Sequence, residues 1–321
     1  KMILLTGAAG FVGSYTLGKL NAYRVRDILI CDKFDVEKKQ NNLAGKSFIA
    51  KIDRDLLFKE LPAYKGKIDC IIHLGARTDT TEFNKEIFDK LNLEFSKDLW
   101  NYSVENDIPL IYASSAATYG NGEMGYDDNT APGLLHPLNP YGESKNEFDK
   151  WALAQNQSPA FWCGMKFFNV YGPNEYHKGR MASVIFHAFN QIMTKGEVTL
   201  FKSHHPEFAD GHQSRDFIYV DDIAEFIWFI YKRQTQKGLI NLGTGRARTF
   251  LDLTKAVFDA MGKTPKINFI DTPEDIRDKY QYFTQAVTTK FTNTQFNRPI
   301  TSLEDGVKKY VQNYLMPEKY Y

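Results

Sequence analysis

The sequence predicts an α/β fold: a parallel sheet doubly wound by helices, joined to a smaller α/β region. Three observations predict it. Apolar runs of about five or six residues alternate with helical stretches over the first half of the chain. A glycine cluster separates the first run from the first helical stretch, and the alternation breaks down after Tyr171. Strands buried on both faces read as continuous apolar runs, and the intervening helices supply the crossovers that parallel pairing requires.

Taken in order, Met2–Thr6 is the first predicted strand, closed by Gly7-Ala8-Ala9-Gly10 and followed by a helical pattern to Leu20. Asp27–Cys31 predicts a second strand ending at Asp32, Ser47–Ile52 a third and Ile68–His73 a fourth. A helical pattern over Phe83–Val104 leads to a predicted strand at Pro109–Ser114, a helix at Tyr141–Gln155 and a strand at Ala160–Asn169. Beyond Tyr171, the residues Pro173, Gly179 and Gly196 and the His204–His212 segment predict loops around a site. Helices are expected at Ala182–Thr194, Val220–Lys232 and Phe250–Met261, with a strand at Leu239–Leu242. On this reading residues 1–170, with a returning segment at about 217–245, form a cofactor-binding domain. Residues from about 171–216 and 246–321 form a smaller substrate-binding domain.

Composition removes several classes of function. The 321 residues carry 40 Lys+Arg against 39 Asp+Glu, a formal net charge of +1. A nucleic-acid binder or a polybasic membrane anchor needs a basic excess, so neither partner is expected. Three cysteines, Cys31, Cys70 and Cys163, each sit in or beside an apolar run, and no Cys-x-x-Cys or Cys/His cluster suggests a metal site. A reducing cytoplasm fits that usage. The longest apolar stretch, Ile223–Tyr231, is too short to cross a bilayer, and no signal peptide is visible.

Gly7, Gly10 and Gly13 form a G-x-x-G-x-x-G turn between a predicted strand and a helix. Glycine there permits a tight turn and close approach of the backbone to a pyrophosphate, which the positive end of the helix then holds. Asp32 stands 19 residues past Gly13, at the end of the second strand, where a carboxylate meets an adenosine ribose. The pattern is that of a Rossmann-type dinucleotide site. Lys33, Lys38 and Lys39 follow Asp32 and could hold a 2′-phosphate, so the residues alone leave NAD and NADP both open.

Tyr141 and Lys145 are spaced i, i+4 and therefore share a helical face. A free phenol, with its pKa near 10, is a poor base at neutral pH; a neighbouring ammonium and the positive nicotinamide of an oxidised cofactor favour the phenolate. Ser114-Ser115 precedes them at the C-terminal end of a predicted strand, where parallel sheets bind ligands. Ser115, four residues before Tyr119-Gly120, is the serine expected to bond a substrate oxygen and share its proton with Tyr141.

Together the glycine turn, Ser115, Tyr141-x-x-x-Lys145, Asn169-Val-Tyr-Gly-Pro173, Arg215-Asp-Phe-Ile-Tyr-Val220 and Asn241-Leu-Gly-Thr-Gly245 resemble the extended short-chain dehydrogenases/reductases, in order over nearly the whole chain. Most members of that family act on nucleotide sugars. The segments Phe167–Ser183, Ser114–Gly120 and Tyr280–Gln285 resemble its heptose 6-epimerase branch. That resemblance implies epimerisation at C6 of an ADP-glycero-manno-heptose, with tightly held NADP, on the route to the lipopolysaccharide inner core. It also implies two proton-handling groups, Tyr141 and Lys178, because the two epimers present their hydroxyls differently. Read without the resemblance, Lys178 is an ordinary loop lysine.

The resemblance further implies cofactor contacts from Gly7, Gly10, Phe11, Val12, Gly13, Asp32, Lys33, Lys39, Leu74, Gly75, Ala76, Asn92, Lys145, Val170 and Lys178. Substrate contacts are implied for Ser115, Asn169, Arg180, His187, Phe201, Arg215 and Tyr280, and a homo-oligomer is expected. A guanidinium such as Arg215 can take a diphosphate bidentately; His187 is equally readable as a half-buried structural histidine. Two features depart from the branch: Arg77 stands where a small residue is expected, and the Phe201–Asp210 loop is longer. A UDP-hexose 4-epimerase is the nearest alternative, and a catalytically silent dinucleotide-binding regulator another. A 4,6-dehydratase would carry an Asp-Glu pair at Ala116-Ala117.

Overall fold

The computed structural model describes residues 1–321. Its strands are β1 (Met2–Thr6), β2 (Ile28–Asp32), β3 (Ala50–Asp53), β4 (Ile68–His73), β5 (Leu110–Ser115), β6 (Trp162–Phe167) and β7 (Asn169–Tyr171). There follow β8 (Val198–Phe201), β9 (Ser214–Arg215), β10 (Phe217–Tyr219), β11 (Gly238–Leu242), β12 (Arg248–Thr249) and β13 (Ile267–Ile270). Seven of them build one parallel sheet in the order β11-β6-β5-β4-β1-β2-β3. The chain winds outward from β1 to β3, then returns to the other side of β1 as β4. A crevice opens beyond the strand ends where the winding direction reverses, and that is where parallel α/β sheets take ligands.

Alternation along the strands explains why both faces are covered. Ile3, Leu5, Ile28, Ile30 and Ile72 pack on one face against Leu17, Leu20 and the Val220–Arg233 helix. Leu4, Leu29, Ile71 and Leu110 pack on the other against Leu99, Trp100 and Phe148. Each such apolar side chain, once fully buried, contributes about 1.5–3 kcal/mol. All three cysteines are buried and free within these layers.

The remainder gathers around a second cluster, in which the helices Val184–Lys195, Phe250–Ala260 and Leu303–Tyr310 pack with Tyr171, Phe217 and Tyr219. Three small pairings brace it: β7 with β10 and β8 with β13, both parallel, and β9 with β12, antiparallel. No helix is long and apolar enough to cross a membrane.

The predicted helix Phe83–Val104 needs correction. Helical structure starts at Lys85, with the Asn84 side chain accepting from Glu86 N, and runs to Glu105 through a π-helical stretch at Asp89–Glu94. The extra residue turns Asn92 inward, where it is 2% exposed. Such bulges re-aim a single side chain without ending the helix.

Candidate active site

A cleft of about 620 Å³ lies at the C-terminal ends of β1, β2, β4 and β5. Its floor is the glycine turn. Gly7 has φ +69°, and a Cβ there would stand 2.6 Å from Gly75 N. A Cβ on Gly13 would stand 1.9 Å from the Gly7 carbonyl oxygen, so strand, turn and helix close on one another only without side chains. The Phe11–Ala22 helix begins at Gly10, whose lack of a side chain leaves the first N–H groups uncapped and facing the cleft.

Asp32, 7% exposed, builds the next wall. Its carboxylate accepts from Ala9 N at 2.9 Å and Lys33 N at 2.7 Å, and Lys39 Nζ lies 3.6 Å away. Lys33 reaches outward instead, to Asp55 at 2.7 Å and Asp53 at 3.3 Å. Arg54 enters the cleft beside Cys31 and Asp32, and its buried Nε makes no hydrogen bond, with the Asp55 carboxylate 3.8 Å away. A guanidinium nitrogen so weakly paired, next to a lysine, fits an anionic group such as a ribose phosphate.

At the other end stand Ser114, Tyr141 and Lys145. Ser115 is not in the lining; it lies beside Tyr141, its Oγ accepting from Ala117 N at 3.0 Å. The Pro140–Ala154 helix starts with proline at its first position and Asn139 capping Gly142 N at 2.8 Å. That start sets Tyr141 and Lys145 over the end of β5. Lys145 Nζ donates to the Ala113 carbonyl at 2.8 Å, and burial lowers its pKa to about 8. Lys145 and a bound oxidised cofactor together are expected to favour a Tyr141 phenolate; in the chain alone the phenol is held up. Burial pushes the phenol up and the Asp149 charge adds to it, while the Ser115 hydroxyl alone draws it back.

Lys178 lies on the Tyr176–Met181 turn, its Nζ 5.2 Å from the centre of the Phe11 ring. Burial lowers its pKa and the charge of Glu175 opposes that. Glu175 is 1% exposed and ties the turn down, accepting from Ser183 N at 2.6 Å and Ser183 Oγ at 2.8 Å. A lysine with its charge partly destabilised exchanges protons more readily near neutral pH.

The cleft gathers Gly7, Gly10, Phe11, Val12, Gly13, Asp32, Lys33, Lys39, Leu74, Gly75, Ala76, Lys145 and Lys178 with Tyr141. It does not include Asn92 or Val170. Asn92 holds the cleft wall from behind, accepting from Arg77 N at 2.8 Å and donating to Arg77 O at 2.9 Å and Ser144 Oγ at 3.0 Å. Val170 packs between two cores on β7.

Five of the residues expected to meet substrate form two groups outside the cleft, Arg215 with Phe201 and Tyr280, and Arg180 with His187. Arg215 packs between Phe250 and Tyr280, 5.3 and 5.6 Å from their ring centres, and Phe201 meets Tyr280 edge-on at 6.1 Å. Arg215 is aimed there because the next residue, Asp216, is fully buried and accepts from the backbone N–H groups of Thr244, Gly245 and Ala286. Arg180 pairs with Asp79 at 3.3 Å, and its carbonyl meets His187 Nε2 at 3.1 Å. Asn169 is exposed on β7 and joins neither group. His205 and Phe208 of the long loop stack on Tyr282.

Sequence reasoning missed Arg54, Arg77 and His177, all of which line the cleft. His177 Nδ1 meets Asn42 Nδ2 at 3.2 Å, and burial together with Lys39 and Lys178 lowers its pKa to about 4, so the ring is neutral. His177 could have been suspected from its place beside Lys178; Arg54 could not, because only the pairing of Asp32 with Asp53 brings it to the cleft.

Residues 3–243 match the family model described as the NAD dependent epimerase/dehydratase family. A relative from Fusobacterium nucleatum named ADP-L-glycero-D-manno-heptose-6-epimerase is 45% identical, with 100% of both chains covered. A protein of the same name from Nitratidesulfovibrio vulgaris is 43% identical over 98% of each. The crystal structure of the Helicobacter pylori ADP-L-glycero-D-manno-heptose-6-epimerase superposes with a TM-score of 0.80 at 28% identity, covering 98% of this chain and 96% of that one. A Methanobrevibacter ruminantium UDP-N-acetylglucosamine 4-epimerase, at 21% identity and TM-score 0.83, shares the fold. With its nucleotide turn, its Ser-Tyr-Lys set and its full-length relatives, the chain belongs to the NAD dependent epimerase/dehydratase family.

Proposed function

We propose that this protein is an ADP-heptose 6-epimerase, interconverting ADP-D-glycero-D-manno-heptose and ADP-L-glycero-D-manno-heptose for the lipopolysaccharide inner core. Full-length identity of 45% to a relative of that name carries the reading. Residues 1–170 with 217–245 serve the cofactor, and 171–216 with 246–321 the sugar nucleotide, whose diphosphate falls to Arg215.

The cofactor is NADP. The glycine turn and the helix start hold its pyrophosphate, while Lys39 and Arg54 hold a 2′-phosphate; the weakly paired, buried Arg54 Nε supports that choice. When bound, oxidised cofactor would supply a hydride acceptor for the C6 hydrogen and a positive ring charge that favours the Tyr141 phenolate. Ser115 holds the C6 oxygen and passes its proton to Tyr141, and Lys145 fixes the nicotinamide ribose. Lys178 would give the C6 oxygen its proton when that carbon is re-reduced on its other face, which would yield the other epimer. Tyr141 and Lys178 line one cleft but stand on different elements, which suits one base per epimer.

Two variants test this. Lys178→Met is expected to slow epimerisation about 100-fold or more while cofactor stays bound; unimpaired turnover contradicts the two-base scheme. Arg54→Ala is expected to weaken NADP about tenfold, the loss of one charge-assisted contact, and to leave NAD nearly unaffected. Titration of the cofactor-free protein with both dinucleotides reads the difference.

A further inference from the structure

Asp149 is a buried carboxylate that the proposed reaction leaves unused. It lies eight residues after Tyr141 and four after Lys145, so the three share one face of the Pro140–Ala154 helix. It is 0% exposed. Tyr112 donates to one carboxylate oxygen at 2.8 Å and Ser114 to the other at 2.6 Å. Between those two residues, the Ala113 carbonyl accepts from Lys145 Nζ at 2.8 Å, and the next residue along β5 is Ser115. One carboxylate thus fastens the last residues of β5 to the helix at the level where serine, tyrosine and lysine converge.

Two ammonium groups face this carboxylate, Lys145 from its own helix and Lys166 from β6. Lys166 is fully buried, its Nζ has no hydrogen-bond partner, and it sits 4.3 Å from the centre of the Tyr119 ring. Burial raises the pKa of Asp149, and Lys166, the two hydroxyls and Lys145 draw it back. The charge of Asp149 in turn raises Tyr141 and Lys145. The other titratable groups nearby are quiet. His73, facing Lys145 from β4, is pushed down to about 3 by burial, and Cys163, near Tyr112, is raised to about 12. Asp128 and Lys290 act on Lys166 from the far side.

We propose that Asp149 is a positioning residue of this site: through Tyr112 and Ser114 it sets the end of β5 against the helix, and its charge keeps the Lys145 ammonium in place beside Ser115 and Tyr141. The inference rests on the roles proposed above for those three residues.

Asp149→Asn in the full-length, cofactor-loaded protein tests it, with kcat, KM and the pH profile of kcat/KM compared with the parent. The amide keeps the shape and removes the charge. The expected result is kcat lower by about tenfold or more with KM little changed. The limb belonging to Tyr141 moves to lower pH, because a negative neighbour that held the phenol up is gone. A Tyr112→Phe/Ser114→Ala double variant unfastens the carboxylate from β5, and kcat is expected to fall with KM little changed. Asp149→Asn with parental kcat and an unmoved limb overturns the inference. If that variant does not fold, parental kcat in the double variant overturns it. A parent protein that interconverts no heptose overturns the functional reading itself, and the inference with it.

Discussion

Tyr141→Phe is expected to lower epimerisation by about 10²–10⁴-fold with sugar-nucleotide and cofactor binding retained. The substitution removes one hydroxyl. The ring still packs near Phe88, 6.4 Å between centroids, and the Asn139 cap still starts the helix, so the fold has no reason to change. The Ser115 hydroxyl loses the group that takes its proton, and Lys178 can serve only one epimer. Separate initial rates from each epimer check this: both fall, and a variant retaining a tenth or more of parental turnover in both directions removes Tyr141 from the chemistry.

Gly13→Ala has the second largest expected effect, acting through the backbone. The new methyl would lie 1.9 Å from Gly7 O, 2.6 Å from Gly7 C and 3.1 Å from Ala8 Cα, none of which can rotate away. Relieving that overlap moves the helix off the strand or opens the turn, at about 1–3 kcal/mol, and the cradle for the pyrophosphate opens with it. Cofactor affinity is expected to fall about 10- to 100-fold, together with the unfolding temperature. Gly66→Ala is the control: Gly66 also has positive φ, +75°, but nothing lies within 4 Å of its Cβ position. It costs stability through backbone strain and leaves cofactor binding alone.

The nucleotide end was legible in the sequence because it is local. Strand, glycine turn, helix and Asp32 all fall within the first 32 residues, and each carries a mechanical reason for its residue type. Tyr141 and Lys145 were legible for the same reason, being one helical turn apart. Arg54 was not, since it follows a four-residue strand whose pairing with β2 no periodicity reveals. The proton balance of Tyr141 was legible only in part: Lys145 and the positive ring of a bound cofactor can be read from the helix spacing and the glycine turn, whereas burial and the Asp149 charge, which raise the phenol, cannot. Asn92 was assigned to the cleft but supports it from behind, a distinction set by the π-helical stretch at Asp89–Glu94. Arg215, Phe201 and Tyr280 lie far apart along the chain, and it is Asp216, anchored to Thr244, Gly245 and Ala286, that turns Arg215 toward its aromatic neighbours.

The central claim is that C6 is oxidised and re-reduced within one site that keeps its hydride. Incubating each ADP-heptose epimer separately with the protein in heavy water, and reading epimer ratio and C6 deuterium by NMR, tests it most directly. The account predicts the same epimer mixture from either side, with the C6 hydrogen retained and no net consumption of cofactor. No interconversion, or deuterium incorporated at C6, would contradict it.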